Sequence, residues 1–259
     1  MVNFTANYVD THCHLDLYNA TVDIVKEAER ASVLVIGVTN TPSLFPFTEN
    51  LSKHHNNILP AIGLHPELAI QRKHELSLMW EYINRTRFIG EIGLDYRTQD
   101  QAERKIQRDI FSQIIDKCAE YGNKILTVHS RGSASDVIGI IGKSFPGKVI
   151  MHWFSGTEKI AEKAVTNGFF FSINSSMIKT KAGQNLILNI PEDRILTETD
   201  GPFIRVNGLP ASPSNVRDTI SSLSKLLDLN FESTSQLILK NFSSLLGHSQ
   251  YKERLSNNL

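Results

Sequence analysis

Three features of the sequence predict its fold: eight short apolar runs separated by segments of helical period, a length of 259 residues, and a first strand-to-helix turn without glycine. Together they predict an α/β protein, a single (β/α)8 TIM barrel with an extra C-terminal helix. Strands alternating with helices imply a parallel sheet, and about 250 residues is the usual size of one closed barrel. An open doubly wound sheet would show the same alternation, but its nucleotide site is normally marked by a glycine-rich turn after the first strand; here that turn reads HCHLD. No Ser/Gly-rich linker, low-complexity stretch or internal repeat breaks the pattern, so residues 1–259 are read as one domain.

Residues 8–15 form the first predicted strand and 22–31 the first helix, where apolar side chains recur at helical spacing. VLVIGV at 33–38 is a run without polar interruption, as expected of a strand buried on both faces, and 42–55 has room for a helix. The alternation continues with a strand at 58–64, a helix at 72–84, a strand at 88–92 and a long helix at 101–121 that stops at Gly122. Strands follow at 124–128, 148–151, 169–173 and 194–197. The intervening helices are 134–143, 158–167 (ended by Gly168) and the short 182–188; helices at 215–227 and 233–246 close the chain.

Twenty-seven basic and 27 acidic side chains leave a formal charge of zero, which argues against coating nucleic acid by bulk electrostatics. Any phosphate substrate would then meet positive charge mainly from bound ions and a few local residues, with affinity depending more on metal occupancy than on salt. The two cysteines, Cys13 and Cys118, are far apart and in no C-x-x-C spacing, which supports neither a disulfide framework nor a cysteine zinc site. No run approaches the length of a membrane span, and the first residues lack the pattern of a secretory signal, so a cytoplasmic protein with no membrane partner is expected.

Five of nine histidines, His12, His14, His65, His129 and His152, fall at or just past the C-terminal ends of predicted strands. Glu91, Asp95 and Asp200 fall at the same level. In a parallel barrel these ends converge on one mouth, where barrel enzymes place their chemistry. A lone histidine there is usually a packing residue; the joint placement is what points to metal. His12 and His14 are two apart and so share a strand face. Four histidines (12, 14, 129 and 152) and two carboxylates (91 and 200) exceed what one tetrahedral ion takes. They suit two divalent ions about 3.5–4 Å apart that share a carboxylate, with Glu91 as the bridge. Nitrogen and oxygen ligation without thiolate fits Zn, Mn, Co or Ni, and Mg at an oxygen-richer half-site.

Six segments in order, DTHCHLD (10–16), GLHP (63–66), IGEIGLD (89–95), VHSR (128–131), HWFSG (152–156) and ETDGP (198–202), resemble the TatD family of metal-dependent hydrolases in the amidohydrolase superfamily. NFSSLL at 241–246 is similar to that family's closing helix. The resemblance implies a binuclear site: His12 and His14 hold one ion, His129 and His152 the second, Glu91 bridges, and Asp200 binds the first ion and acts as general base. It implies metal-dependent hydrolysis of DNA phosphodiesters, commonly from a 3′ end; some relatives are deacylases acting on D-aminoacyl-tRNA. The stretch after ETDGP, FIRVNGLPASPSNV, departs from the family's usual Arg-Gly-Lys loop, which weakens the carry-over of substrate more than of metal. In detail the motifs look closest to the TatD-like component of Qat anti-phage defence operons, which would add protein partners.

Metal-activated water is expected to attack phosphorus or an acyl carbon while Asp200 takes its proton. His65 and Arg131 are the expected substrate contacts, since a guanidinium can hold a phosphate by two hydrogen bonds. Asp10 and Glu198, each two residues from a ligand, are expected to lie deeper and orient the ligands. Asp95 is expected to steady the loop after Glu91. Trp153 and Phe154 are expected to pack beneath the sixth βα loop rather than stack on a base.

Overall fold

The computed structural model describes residues 5–247. Eight parallel strands, β1 (Tyr8–Cys13), β2 (Val33–Gly37), β3 (Ile58–Ile62), β4 (Phe88–Gly93), β5 (Ile125–His129), β6 (Lys148–His152), β7 (Phe170–Ile173) and β8 (Ile195–Thr197), pair in chain order as a nearly closed TIM barrel. Helices α1 (Thr21–Arg30) and α2 (Phe45–His54) follow the first two strands. The predicted 72–84 helix is broken into α3 (Ala69–Arg72), a 3-10 turn and α4 (Leu76–Tyr82). The break lies at Glu75, whose buried carboxylate turns away to accept the Ser43 N–H at 2.9 Å, a tertiary demand that local periodicity does not contain.

Around the rest of the barrel run α5 (Gln101–Tyr121), α6 (Ala134–Ile141), α7 (Glu158–Thr166), α8 (Ser175–Ile178), α9 (Lys181–Leu188), α10 (Val216–Leu226) and α11 (Phe231–Leu246). Side-chain caps start several of them: Asp100 accepts from Ala102 N at 2.7 Å ahead of α5, and Asn230 from Ser233 N at 2.8 Å ahead of α11. A small hairpin, β9 (Arg205–Val206) with β10 (Leu209–Pro210), was not expected. Its signal is the Asn207-Gly208 pair, both at positive φ, between two short extended runs.

One hydrophobic cluster holds at least one residue from each barrel strand, Phe88, Ile150 and Phe170 among them, together with Leu239, Phe242, Leu245 and Leu246 of α11. The extra C-terminal helix therefore plugs one end of the barrel, leaving the other for the site. The seam between β8 and β1 is laced by threonines: Thr11 Oγ1 donates to Thr197 O at 3.0 Å, and Thr197 Oγ1 to Val9 O at 2.8 Å. No helix among the described residues is long and apolar enough to cross a membrane.

Candidate metal centre

His12 lies within β1, but His14 lies one residue beyond it, so strand alternation alone does not bring them together. The chain bends after Cys13, and His14 N donates to Gly201 O at 2.8 Å while Asp200 N donates to His12 O at 2.9 Å. Those bonds bring the end of β1 against the loop after β8. The imidazole Nε2 atoms of His12 and His14 are then 3.3 Å apart. Glu91 Oε2 is 3.4 and 3.2 Å from them, and Asp200 Oδ1 is 3.9 and 3.6 Å from them. A tetrahedral ion with bonds of about 2.1 Å has ligand-to-ligand edges of about 3.4 Å, so this set fits a divalent cation.

The other oxygen of Glu91 faces a second group. Oε1 is 2.8 Å from His129 Nδ1, 3.4 Å from His65 Nε2 and 3.9 Å from His152 Nε2. His152 Nε2 also lies 3.9 Å from Asp200 Oδ1, and its ring stacks on that of His12 with centroids 3.6 Å apart. All six expected ligands, with His65, thus converge around one buried carboxylate, and three overlapping triads of donor atoms are close enough to hold metal: His12/Glu91/His152, His12/His14/Asp200 and His65/Glu91/His129.

Three of the four ligand rings are aimed by a partner on the far side, whereas His14 Nδ1 is buried without one among the described residues. His12 Nδ1 is 2.7 Å from Thr127 Oγ1, His129 Nε2 is 2.9 Å from Asp95 Oδ2, and His152 Nδ1 is 2.8 Å from Glu198 Oε2. Glu198 in turn accepts from Asn174 Nδ2 at 2.8 Å, from Trp153 N at 3.2 Å and from Ser172 Oγ. Asp10 accepts from His12 N at 3.2 Å and from Thr199 N at 3.0 Å, tying β1 to the segment after β8. His65 differs. Its Nδ1 accepts the Glu67 N–H at 3.2 Å, so the proton of the neutral ring sits on Nε2, which offers a donor rather than a lone pair.

Glu91 itself is placed from below. Glu91 N donates to Thr39 O and Thr39 N to Gly90 O, both at 3.1 Å, linking the end of β2 directly to β4. Thr39 Oγ1 also accepts from Gly63 N at 3.1 Å. A Cβ on Gly63 would fall 2.3 Å from Glu91 N, so only glycine allows this approach.

Burial alone would neutralise the acids, and their neighbours decide otherwise. The Glu91 carboxyl is held well below its ordinary range: burial opposes its charge, but His65 and His12 outweigh it. Asp200 is pushed up to about 7, chiefly by burial, with His152 and His14 opposing and Glu91 and Glu198 adding to the rise. Burial works against charge on His152 too, yet Glu198 and Asp200 raise it to about 10. Several acids sharing so little space are a demand for cationic charge, which a divalent ion meets.

The centre forms the floor of a cavity of about 510 Å³. Arg131 lines it, exposed, with its guanidinium making no hydrogen bond among the described residues. Two residues expected to behave alike part company. Phe154 is buried and packs edge-on against Phe171, as expected, but Trp153 is 38% exposed on the cavity wall. Phe203, 58% exposed, faces the same cavity and touches His14 edge-on. Trp153 and Asp200 both have left-handed backbone, φ 36° and 50°, a conformation that costs of order 1–3 kcal/mol for non-glycine residues and clusters at functional sites.

Thr127, Thr39, Asn174, Arg97, Glu67 and Phe203 stand outside the expected set. Thr127 had a signal, since it is two residues before His129 on the same strand face. Glu67 directly follows the GLHP segment, and Arg97 lies two residues past the end of IGEIGLD. Asn174 has none, because no motif marks β7.

Residues 9–247 match the family model described as TatD related DNase. The chain is 30% identical over 217 residues to the human protein named deoxyribonuclease TATDN3, covering 76% of this chain and 78% of that one. It is 28% identical to YabD of Bacillus subtilis, named an uncharacterized metal-dependent hydrolase, over 91% of this chain and 97% of the relative. Among solved structures, the TatD homologue YJJV of Escherichia coli superposes with a TM-score of 0.84 at 23% identity, covering 93% of this chain and 98% of that one, a likeness of fold.

Proposed function

Because the chain belongs to the TatD related DNase family of metal-dependent hydrolases, we propose that it hydrolyses DNA phosphodiester bonds as one catalytic domain with a binuclear metal site. The observation that carries this reading is the position of Glu91. Its two oxygens face opposite ways, Oε2 toward His12 and His14 and Oε1 toward His129, as a carboxylate shared by two ions must. His12, His14 and Asp200 would hold one ion, a triad the donor atoms themselves form; His129 and His152 would hold the other, a pairing that rests on the family resemblance, since the described donor triads place His152 with His12 and His129 with His65. Bound divalent ions supply Lewis acidity and a water of lowered pKa.

The protein's own groups complete the chemistry. Asp200, whose Oδ1 lies 3.9 and 3.6 Å from the Nε2 atoms of His12 and His14, would take the proton of the attacking water on its carboxylate. His65 presents its Nε2–H to a substrate oxygen, and Arg131 presents its exposed guanidinium to a phosphate. Asp10 and Glu198 fix the backbone and ring of the ligands they touch.

A defence role of the Qat type, in the cytoplasm and with protein partners, is a second reading. What favours it is the stretch after ETDGP, which departs from the family's usual loop, begins with Phe203, 58% exposed on the cavity wall, and forms a hairpin. The chemical test offers 3′-labelled single-stranded DNA and D-aminoacyl-tRNA side by side to the wild type, Glu91→Ala and Asp200→Asn, with metal content measured for each. Shortening of the DNA by the wild type alone, with ions lost from Glu91→Ala, is expected. Ester release without DNA shortening replaces the nuclease with a deacylase, and two folded variants that keep full activity and both ions remove Glu91 as the bridge and Asp200 as the base.

A further inference from the structure

Arg97 and Glu67 form an ion pair across the cavity mouth, joining the loop after β4 to the loop after β3. Both side chains are about half exposed, 48% and 47%, and both line the cavity. The near end of Arg97 is anchored, because Asp95 accepts its backbone N–H at 2.8 Å and its Nε at 3.3 Å. At the far end Nη2 is paired with Glu67, and Nη1 makes no hydrogen bond among the described residues. Arg131 stands on the neighbouring segment, where Tyr96 N donates to Arg131 O at 2.9 Å. Two guanidiniums therefore flank the mouth on the β4–β5 side of the metal centre, whereas the exposed aromatics lie on the β6–β8 side.

We propose that Arg97 and Arg131 form a subsite for a backbone phosphate next to the scissile one, and that Glu67 masks it until substrate arrives. The inference deepens the nucleic-acid reading and rests on it in taking the ligand to be a polynucleotide phosphate. An exposed ion pair contributes little to stability, so exchanging one anion for another there costs little. A phosphate offers the guanidinium the same two-oxygen geometry as a carboxylate, and the half-exposed Glu67 can turn into water. With Glu67 in place the charges of Glu67, Asp95, Arg97 and Arg131 cancel; with Glu67 displaced, one positive charge remains. A small ester with no flanking phosphate has nothing to displace Glu67 with, so the mask selects for polynucleotides.

The test is binding of a short, fluorescein-labelled, hydrolysis-resistant phosphorothioate oligothymidylate to metal-loaded protein, followed by anisotropy across a salt series. Glu67→Gln is expected to bind roughly two- to fivefold more tightly than wild type. Its plot of log affinity against log salt should steepen by about 0.7, the increment of one newly unmasked phosphate contact on a single strand. Arg97→Gln should bind more weakly than wild type, and the double variant should behave as Arg97→Gln alone, because Glu67 is proposed to act through that guanidinium and not through His65 Nδ1, 3.9 Å from its other oxygen. Weaker or unchanged binding by Glu67→Gln, a gain that survives in the double variant, or no binding by any of the proteins overturns the proposal. Hydrolysis of the ordinary oligonucleotide is followed in parallel: the expected order of affinities without any cleavage refutes the nuclease reading and leaves the subsite standing.

Discussion

His12 Nδ1 lies 2.7 Å from the hydroxyl of Thr127, so a ring on β1 is aimed from the interior by a side chain on β5. With Nδ1–H donated to that hydroxyl, Nε2 keeps its lone pair for the centre shared with His14, Glu91 and Asp200. The centre is thus specified by residues that never touch an ion.

Thr127→Val preserves shape and removes only the acceptor. Metal affinity by titration calorimetry is expected to fall roughly 10- to 100-fold, the usual cost of losing a partner behind a ligand. Thermal stability of the metal-free protein should change little. Wild-type affinity in the variant would show that the hydroxyl has no part in orienting the ring.

Trp153 and Phe154 are adjacent but should respond oppositely to truncation. Phe154→Ala opens a cavity in the core and should cost about 3–5 kcal/mol in denaturant unfolding. Trp153→Ala should leave stability nearly unchanged. If an unpaired base stacks on the exposed indole, binding of single-stranded DNA weakens by about 1–3 kcal/mol. An unchanged KM for DNA removes Trp153 from the substrate path.

Gly63→Ala places a methyl against the backbone of Gly90 and Glu91. Overpacking at such a site costs about 1–3 kcal/mol, and here the strand that moves is the one carrying the bridging carboxylate. A lowered Tm together with lost metal is expected. A drop in Tm with both ions retained would separate the packing role of Gly63 from the placement of Glu91.

Glu75 gives a pH-dependent test away from the metal. Burial opposes its charge, but the Ser43 donors and Arg72, at 3.1 Å, outweigh it and hold the carboxyl below its ordinary value. Its native value lies below the unfolded one, so its stabilisation is present above about pH 4.5 and fades as pH falls through the native value. Glu75→Gln should therefore be less stable than wild type at pH 7, by about 1–3 kcal/mol for a hydrogen-bonded buried charge. The gap should narrow in acid, and a gap independent of pH would mean that shape, not charge, holds Ser43.

Much of the barrel was legible because its signals are local. Runs such as VLVIG at Val33–Gly37 are apolar throughout because both faces of a barrel strand are buried, and Gly122 ends α5 where periodicity stops. The candidate ligands were legible for a related reason: the parallel topology sends every strand's C-terminal end to one mouth, so a list of strand-end histidines and acids is already a list of neighbours. The break at Glu75 and the hairpin at Asn207-Gly208 were not anticipated, the first because its cause is the distant Ser43, the second because its paired runs are only two residues long.

Residue order alone carried the alternation of strands and helices, the extra C-terminal helix and the candidate ligands at the strand ends, but not the plugging role of α11 or the presence of Trp153, Phe203, Arg97 and Glu67 at the mouth. Only the tertiary structure decided how those side chains face one another. Ring orientation depends on contacts between residues remote in the chain, such as His12 with Thr127 and His152 with Glu198. The same holds for the Arg97–Glu67 pair, which spans two loops and lies outside the expected ligand set. Strand periodicity tells which side of a sheet a residue occupies; the direction of a lone pair or the partner of a guanidinium is set by hydrogen bonds that exist only once the barrel has closed.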